Sequence, residues 1–143
     1  MDFTTAAILM LRIHAGQTDK NGDPYCLHLL RVALRGETED ERIVGISHDS
    51  VEDKKTTLDE LRTYGYAEHL CAAIDALTKR EGESYEDFIE RILENPLATK
   101  VKLADIEDNL DPNRLARLHP VTQVTLRLKY EPARKRLLQA LAR

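Results

Sequence analysis

The chain is predicted to be all-α. Apolar residues recur at helical spacing through almost all of its 143 residues, alternating strand patterns are absent, and the breaks carry residues that start and stop helices. Ala6, Ala7, Leu9, Met10 and Ile13 form a first stripe that stops near Gly16. Residues 17–24 are rich in Gly, Asp and Asn and contain Pro24, so they read as a loop. Leu27, Leu30, Val32 and Leu34 mark a second helix ending at Gly36. Asp40 is the expected cap of a third helix carrying Ile43, Val44, Ile46 and His48. Thr57 with Glu60 has the pattern of a capping box for a short helix to Tyr64, which Gly65 ends. Further helices are expected at about 66–79, 84–94, 96–110 and 120–141. No repeat, low-complexity stretch or linker divides the chain, so residues 1–143 read as one domain.

Composition narrows the function classes. A chain of this length, 42% hydrophobic, buries a core without disulfides. Cys26 and Cys71 lie far apart and form no metal or redox motif. No apolar run reaches membrane-spanning length, and Met1-Asp2-Phe3-Thr4 lacks the basic region of a signal peptide. A cytoplasmic protein with no membrane partner is expected. The net charge is −4 with no long basic stretch, which argues against a nucleic-acid partner. A polyanionic ligand would need positive charge concentrated at its site, part of it from a metal.

The chemistry concentrates in Ser47-His48-Asp49-Ser50-Val51-Glu52-Asp53. Adjacent His48 and Asp49 offer a neutral nitrogen and an anionic oxygen to one ion. Glu52 and Asp53, three and four positions on, would share their helix face. Carboxylates so crowded raise one another's pKa unless a cation neutralises them, and a divalent metal is the simplest one. His28 upstream and Asp105 downstream complete a set of two histidines and two aspartates, whose mixed donors suit Mn²⁺, Fe²⁺ or Zn²⁺ better than Ca²⁺. Asp105 follows Val101, Leu103 and Ala104, so a helix with an apolar face presents it, and a carboxylate there wants a cation or a donor.

These residues resemble the metal set of the HD-domain phosphohydrolases, in particular the hydrolase domain of RelA/SpoT-type proteins and the small single-domain (p)ppGpp hydrolases. The resemblance runs over roughly residues 1–130. It is carried in order by His14-Ala15-Gly16-Gln17, Lys20-Asn21-Gly22-Asp23-Pro24-Tyr25, His28, His48-Asp49 with Val51-Glu52-Asp53, Thr78-Lys79, and Lys102-Leu103-Ala104-Asp105 with Asn109. It implies an HD-type helical bundle with a metal site in a central cleft, held by His28, His48, Asp49 and Asp105. It also implies hydrolysis of the 3′-pyrophosphate of (p)ppGpp with Mn²⁺, a small nucleotide being the partner. With no room for a synthetase region in 143 residues, degradation alone is expected.

The resemblance gives Glu52 and Asp53 to water activation and proton transfer, and a carboxylate one turn from the ligands can do this; without it they read as a solvated acidic turn before Lys54-Lys55. Lys20 is implied to meet phosphate and Asn109 the nucleoside sugar; otherwise they are an exposed lysine and a helix-end asparagine. Tyr130 matches a tyrosine near the substrate or is a half-buried aromatic. Lys79 is a further candidate phosphate contact, although cations suit the end of a helix in any case. Arg114, Arg117, Arg127 and Lys129 read as a basic rim or as a solvent face. His14 is expected to brace the first helix against the site, with His69 and His119 at the surface. Asp19, where the family often has a basic residue, and the pair Glu107-Asp108 depart from the pattern and would weaken binding of a polyphosphate. They keep open an HD phosphohydrolase acting on another nucleotide or an NADPH-like phosphate. A metal- or nucleotide-binding module without turnover is the remaining alternative. The sequence specifies no oligomeric state.

Overall fold

Helices form where the apolar spacing places them. The computed structural model describes residues 1–143 and has nine helices and no strand. Helix α1 (Phe3–Ile13) begins at Asp2, whose carboxylate accepts the Thr5 N–H at 2.8 Å. After the loop, closed by a single antiparallel bridge between Thr18 and Pro24, comes α2 (Tyr25–Leu34). Helix α3 (Glu39–Ser47) is capped by Thr38 and not by Asp40: Thr38 accepts the Glu41 N–H and the Glu41 carboxylate returns to the Thr38 N–H, a full capping box. Asp40 falls in the first turn, where negative charge suits the helix dipole.

The third helix also stops sooner than expected. Ser47 is its last residue, His48 is the cap, and residues 49–54 continue as turns that Lys54 closes at φ 58°. One helical hydrogen bond survives, from the Asp53 N–H to the Asp49 carbonyl at 2.8 Å, so the acidic residues still sit about a turn apart. Thr57 caps α4 (Leu58–Thr63), but the Glu60 carboxylate goes to the Thr56 hydroxyl and leaves the box half made. Then follow α5 (Glu68–Ala76), α6 (Tyr85–Ile92), α7 (Pro96–Asn109), α8 (Pro112–Leu115) and α9 (Pro120–Leu141). Helix α8 has no counterpart in the sequence reading, because four residues carry no period; Asp111 starts it by accepting the Asn113 and Arg114 N–H groups. No helix is long and apolar enough to cross a membrane.

Two helices organise the packing. Helix α3 contacts α1, α2, α5 and α7, and α7 contacts α2, α3, α5, α6 and α9. Ile43, Val44 and Ile46 of α3 meet Leu29, Val32 and Ala33 of α2 and Val101 and Ile106 of α7 in one buried cluster. Gly45 allows the closest approach: a Cβ there would lie 3.0 Å from the Ala33 Cα and 3.2 Å from the Ala33 nitrogen. The metal-candidate residues His28 and His48 sit on these two elements, so Gly45 sets their separation.

Gly45→Val should therefore force α2 and α3 apart. Overpacking of this kind typically costs about 1–3 kcal/mol, and the urea midpoint should fall accordingly. An unchanged midpoint would show that the crossing can relax.

Candidate metal centre

Four predicted ligands from three separate segments converge. His28 Nε2 lies 3.0 Å from Asp105 Oδ1 and 4.0 Å from Asp49 Oδ2. His48 Nε2 lies 3.1 Å from Asp49 Oδ2 and 3.4 Å from Asp105 Oδ1. His28, His48 and Asp49 alone form a group able to hold an ion, with donor atoms within 4.8 Å of one another, and Asp105 borders both imidazoles.

The other ring nitrogens are tied down. His48 Nδ1 bonds the Gly45 carbonyl at 2.6 Å, and His28 Nδ1 bonds Asp108 Oδ2 at 2.6 Å. A carbonyl can only accept, so His48 Nδ1 carries the proton and Nε2 is the free donor atom. Although two carboxylate oxygens lie close by, His48 Nε2 is buried and hydrogen-bonded to neither. Two imidazole nitrogens facing two carboxylate oxygens, one nitrogen with no hydrogen bond, is a donor set that suits a divalent transition metal.

The remaining lone pairs are held by residues for which the sequence suggests no such part, Asn109 among them, expected there as a sugar contact. Lys102, one turn before Asp105 on α7, donates to Asp105 Oδ2 at 2.9 Å, and Asn109, one turn after, donates to Oδ1 at 3.2 Å. Tyr25 donates its hydroxyl to Asp49 Oδ2. Asp108 is only 1% exposed and sits among His28, Arg31 and Arg114. It is thus a support for His28 and not a repulsive charge on the ligand. Glu107 points away, to Arg35 and Arg134. Asp19 ties its own loop, accepting the Asn21 and Asp23 N–H groups, and pairs with Arg114 at 3.0 Å. The three acidic departures from the family pattern are neutralised in place.

Charge states follow from these contacts. Burial opposes protonation of His28, but Asp105 and Asp108 outweigh it and raise its pKa. Burial likewise opposes protonation of His48, and Asp49 and Asp105 raise it well above the usual imidazole value. Burial opposes ionisation of Asp49 as well, yet the imidazoles hold it down to about 2. The mutual raising expected of the crowded carboxylates is thus confined to Glu52 and Asp53, each pushed up by burial and by the charge of Asp49. The main chain of Lys79 lies against Glu52. Gln17 donates to Asp53 Oδ2 at 3.0 Å while its own carbonyl oxygen takes a 2.8 Å bond from buried His14. His14 therefore braces the site through Gln17.

A cavity of about 240 Å³ opens beside His28 and Tyr25. Lys20, Asn109 and Tyr130 line it, with Asp19 and Arg114; Lys79 does not. The basic rim is dispersed, for Arg114 is taken up by Asp19 and Asp108 and Arg117 by Asp23. His69 pairs with Asp40 at the surface, and His119 caps α9 through its ring nitrogen.

No family model matches the chain. Among curated proteins it is 30% identical over 109 residues to the guanosine-3′,5′-bis(diphosphate) 3′-pyrophosphohydrolase of Aquifex aeolicus, which covers 68% of this chain and 16% of that protein. It is 29% identical over 123 residues to the GTP pyrophosphokinase of Myxococcus xanthus (73% of this chain, 16% of the relative) and 30% identical over 112 residues to that of Streptomyces coelicolor (69% and 13%). The chain spans at most 16% of the length of these three relatives. Over about two thirds of its own length, then, the chain is a relative of the RelA/SpoT-type proteins, matching one short segment of them.

Proposed function

We propose that the chain is a metal-dependent phosphohydrolase that removes the 3′-pyrophosphate of (p)ppGpp. The observation that carries this reading is the convergence of the His28 and His48 Nε2 atoms on Asp49 and Asp105 beside two carboxylates with raised pKa values. The pyrophosphohydrolase name of the Aquifex relative supplies the substrate class. We assign His28, His48, Asp49 and Asp105 as ligands of Mn²⁺, with Fe²⁺ or Zn²⁺ chemically acceptable to the same donors. A bound ion would supply Lewis-acid polarisation and offset the two carboxylate charges.

The chain's own groups do the rest. Glu52 or Asp53, poised by burial, takes a proton from the attacking water; Gln17 holds one oxygen of Asp53 so that the other stays free. Water adds to the phosphorus on the 3′ oxygen, the 3′ O–P bond breaks, and a proton completes the nucleoside hydroxyl, so ppGpp and water give GDP and pyrophosphate. Lys20 meets phosphate at the cavity, and Asn109 and Tyr130 meet the nucleoside. The domain acts as a single unit. Pairing of Asp19 and Asp108 with Arg114 favours a polyphosphate substrate over the alternatives, since it removes the negative charge that argued against one.

Protein prepared without chelator should hold about one equivalent of transition metal, and joint replacement of His48 and Asp49 should abolish it. Retention of metal by that variant would remove the centre. The histidine shifts give a pH signature for the metal-free protein. Imidazoles with a raised folded pKa stabilise it fully below their unfolded value of about 6.5 and lose that contribution as pH rises through the folded value. Thermal melts should therefore show the metal-free protein less stable at alkaline than at mildly acidic pH, and metal should reverse the trend.

Glu52→Gln and Asp53→Asn should keep metal and fold while turnover falls by about 10²–10⁴-fold. Wild-type rates in both would return the pair to the status of a solvated turn. The substrate is tested by Mn²⁺-dependent release of pyrophosphate, and not orthophosphate, from ppGpp. Intact ppGpp alongside cleavage of a nucleoside monophosphate would overturn the alarmone reading.

A further inference from the structure

The cations closest to the metal centre are already engaged: Lys102 holds Asp105, and Arg31 and Arg114 hold Asp108. Lys20 and Lys129 make no salt bridge. Lys20 belongs to the loop over the cavity. Lys129, on α9, is positioned by aromatic rings instead of a carboxylate: its ammonium lies 4.8 Å from the centre of the Tyr85 ring and 5.1 Å from that of Tyr130. The two rings meet edge-on, 6.0 Å apart. Further in, Lys102 lies 5.7 Å from Tyr85 and 5.1 Å from Phe88. Rings and ammoniums thus alternate in the order Phe88, Lys102, Tyr85, Lys129, Tyr130, with buried Asp105 bonded to Lys102.

That column ends at the site. Tyr130 lines the cavity with Lys20 and Asn109, while Tyr85 and Lys129 border a separate cleft between α6 and α9. The charges acting on Lys129 are those of Lys102, Asp105, Glu52 and Lys20, and burial with Lys102 disfavours its own charge. An incoming anion would offset both effects. The Tyr85 hydroxyl beside it is buried without a hydrogen-bond partner. A cation held by rings, in salt-bridge contact with no carboxylate and next to an unmatched hydroxyl, is arranged for an anionic group that arrives with a ligand.

We propose that Lys129, seated between Tyr85 and Tyr130, is a specificity-determining contact for a second phosphate of the nucleotide, on the end that is not cleaved. This rests on the nucleotide reading above. The cleaved phosphate belongs at His28, His48, Asp49 and Asp105. In the chain of contacts Lys102 and Tyr85 separate Lys129 from Asp105, so in this reading a substrate phosphorylated at both ends of its sugar places its other phosphates at Lys129. A contact made equally in the ground and transition states shows in KM and not in kcat.

The test compares ppGpp with guanosine 3′-diphosphate, which lacks the 5′ phosphates, using Mn²⁺-loaded wild type, Lys129→Gln and Lys129→Arg. Loss of one charge-assisted contact is expected to raise KM for ppGpp about tenfold in Lys129→Gln. kcat should stay within about twofold, KM for the 3′-diphosphate should not change, and Lys129→Arg should recover most of the loss. Equal losses on both substrates, or none, overturn the assignment. Calorimetric titration with GDP decides the matter even if wild type hydrolyses neither compound, an outcome that would refute the hydrolase reading alone. GDP binding weakened about tenfold in Lys129→Gln supports the contact. Equal affinity, or no GDP binding by wild type, removes it.

Discussion

Between α2 and α3 the chain leaves room for a hydrogen atom and little more. Gly45 faces the Ala33 backbone at a distance that would press even a methyl group into main chain. Two consequences reach the centre. His28, earlier on α2, and His48, at the end of α3, come close enough for their rings to meet edge-on at 5.5 Å. The Gly45 carbonyl is also the group that fixes the His48 tautomer. One residue with no side chain thus governs the spacing of two donor atoms and the protonation of one.

The second constraint is electrostatic. Asp105 and Asp108 are almost wholly buried, and isolated charges there would be prohibitive. Each has cationic partners: Lys102 for Asp105, and Arg31 with Arg114 for Asp108. Asp49 is stabilised by the imidazoles and by the Tyr25 hydroxyl. Helix α7 makes this possible by presenting Lys102, Asp105, Asp108 and Asn109 at three- and four-residue spacing on the face that meets α2. Buried ion pairs contribute little net stability compared with apolar packing, so their presence here speaks for chemistry more than for folding.

Much of this was legible before the structure. The four ligand candidates stand out because His48-Asp49 are adjacent and His28 and Asp105 lie in recognisable surroundings, and the longer helices follow their apolar period. What was hidden depends on which faces meet. Thr38 and Asp40 are both good caps two residues apart, and only the backbone decides between them. Asp108 looks like a solvent charge until α7 is seen turned toward α2. Asp19 looks hostile to an anion because its partner Arg114 lies 95 residues away in sequence. The ring column around Lys129 joins α6, α7 and α9, and no local pattern announces it.

Arg114 joins two regions that the chain order keeps apart. One guanidinium binds Asp19 in the loop over the cavity and Asp108 beneath His28, and Asn21 of the same loop bonds the Arg114 carbonyl. The loop cannot lift from α8 without parting Asp19 and Asn21 from Arg114, and with them two of the bonds that hold this guanidinium in place against Asp108, a carboxylate that is 1% exposed. Access to the cavity and the rigidity of His28 are therefore mechanically one variable. A loop that opens also slackens the ring it helps to hold, and a loop that closes on a ligand tightens the centre at the moment the ligand is in place.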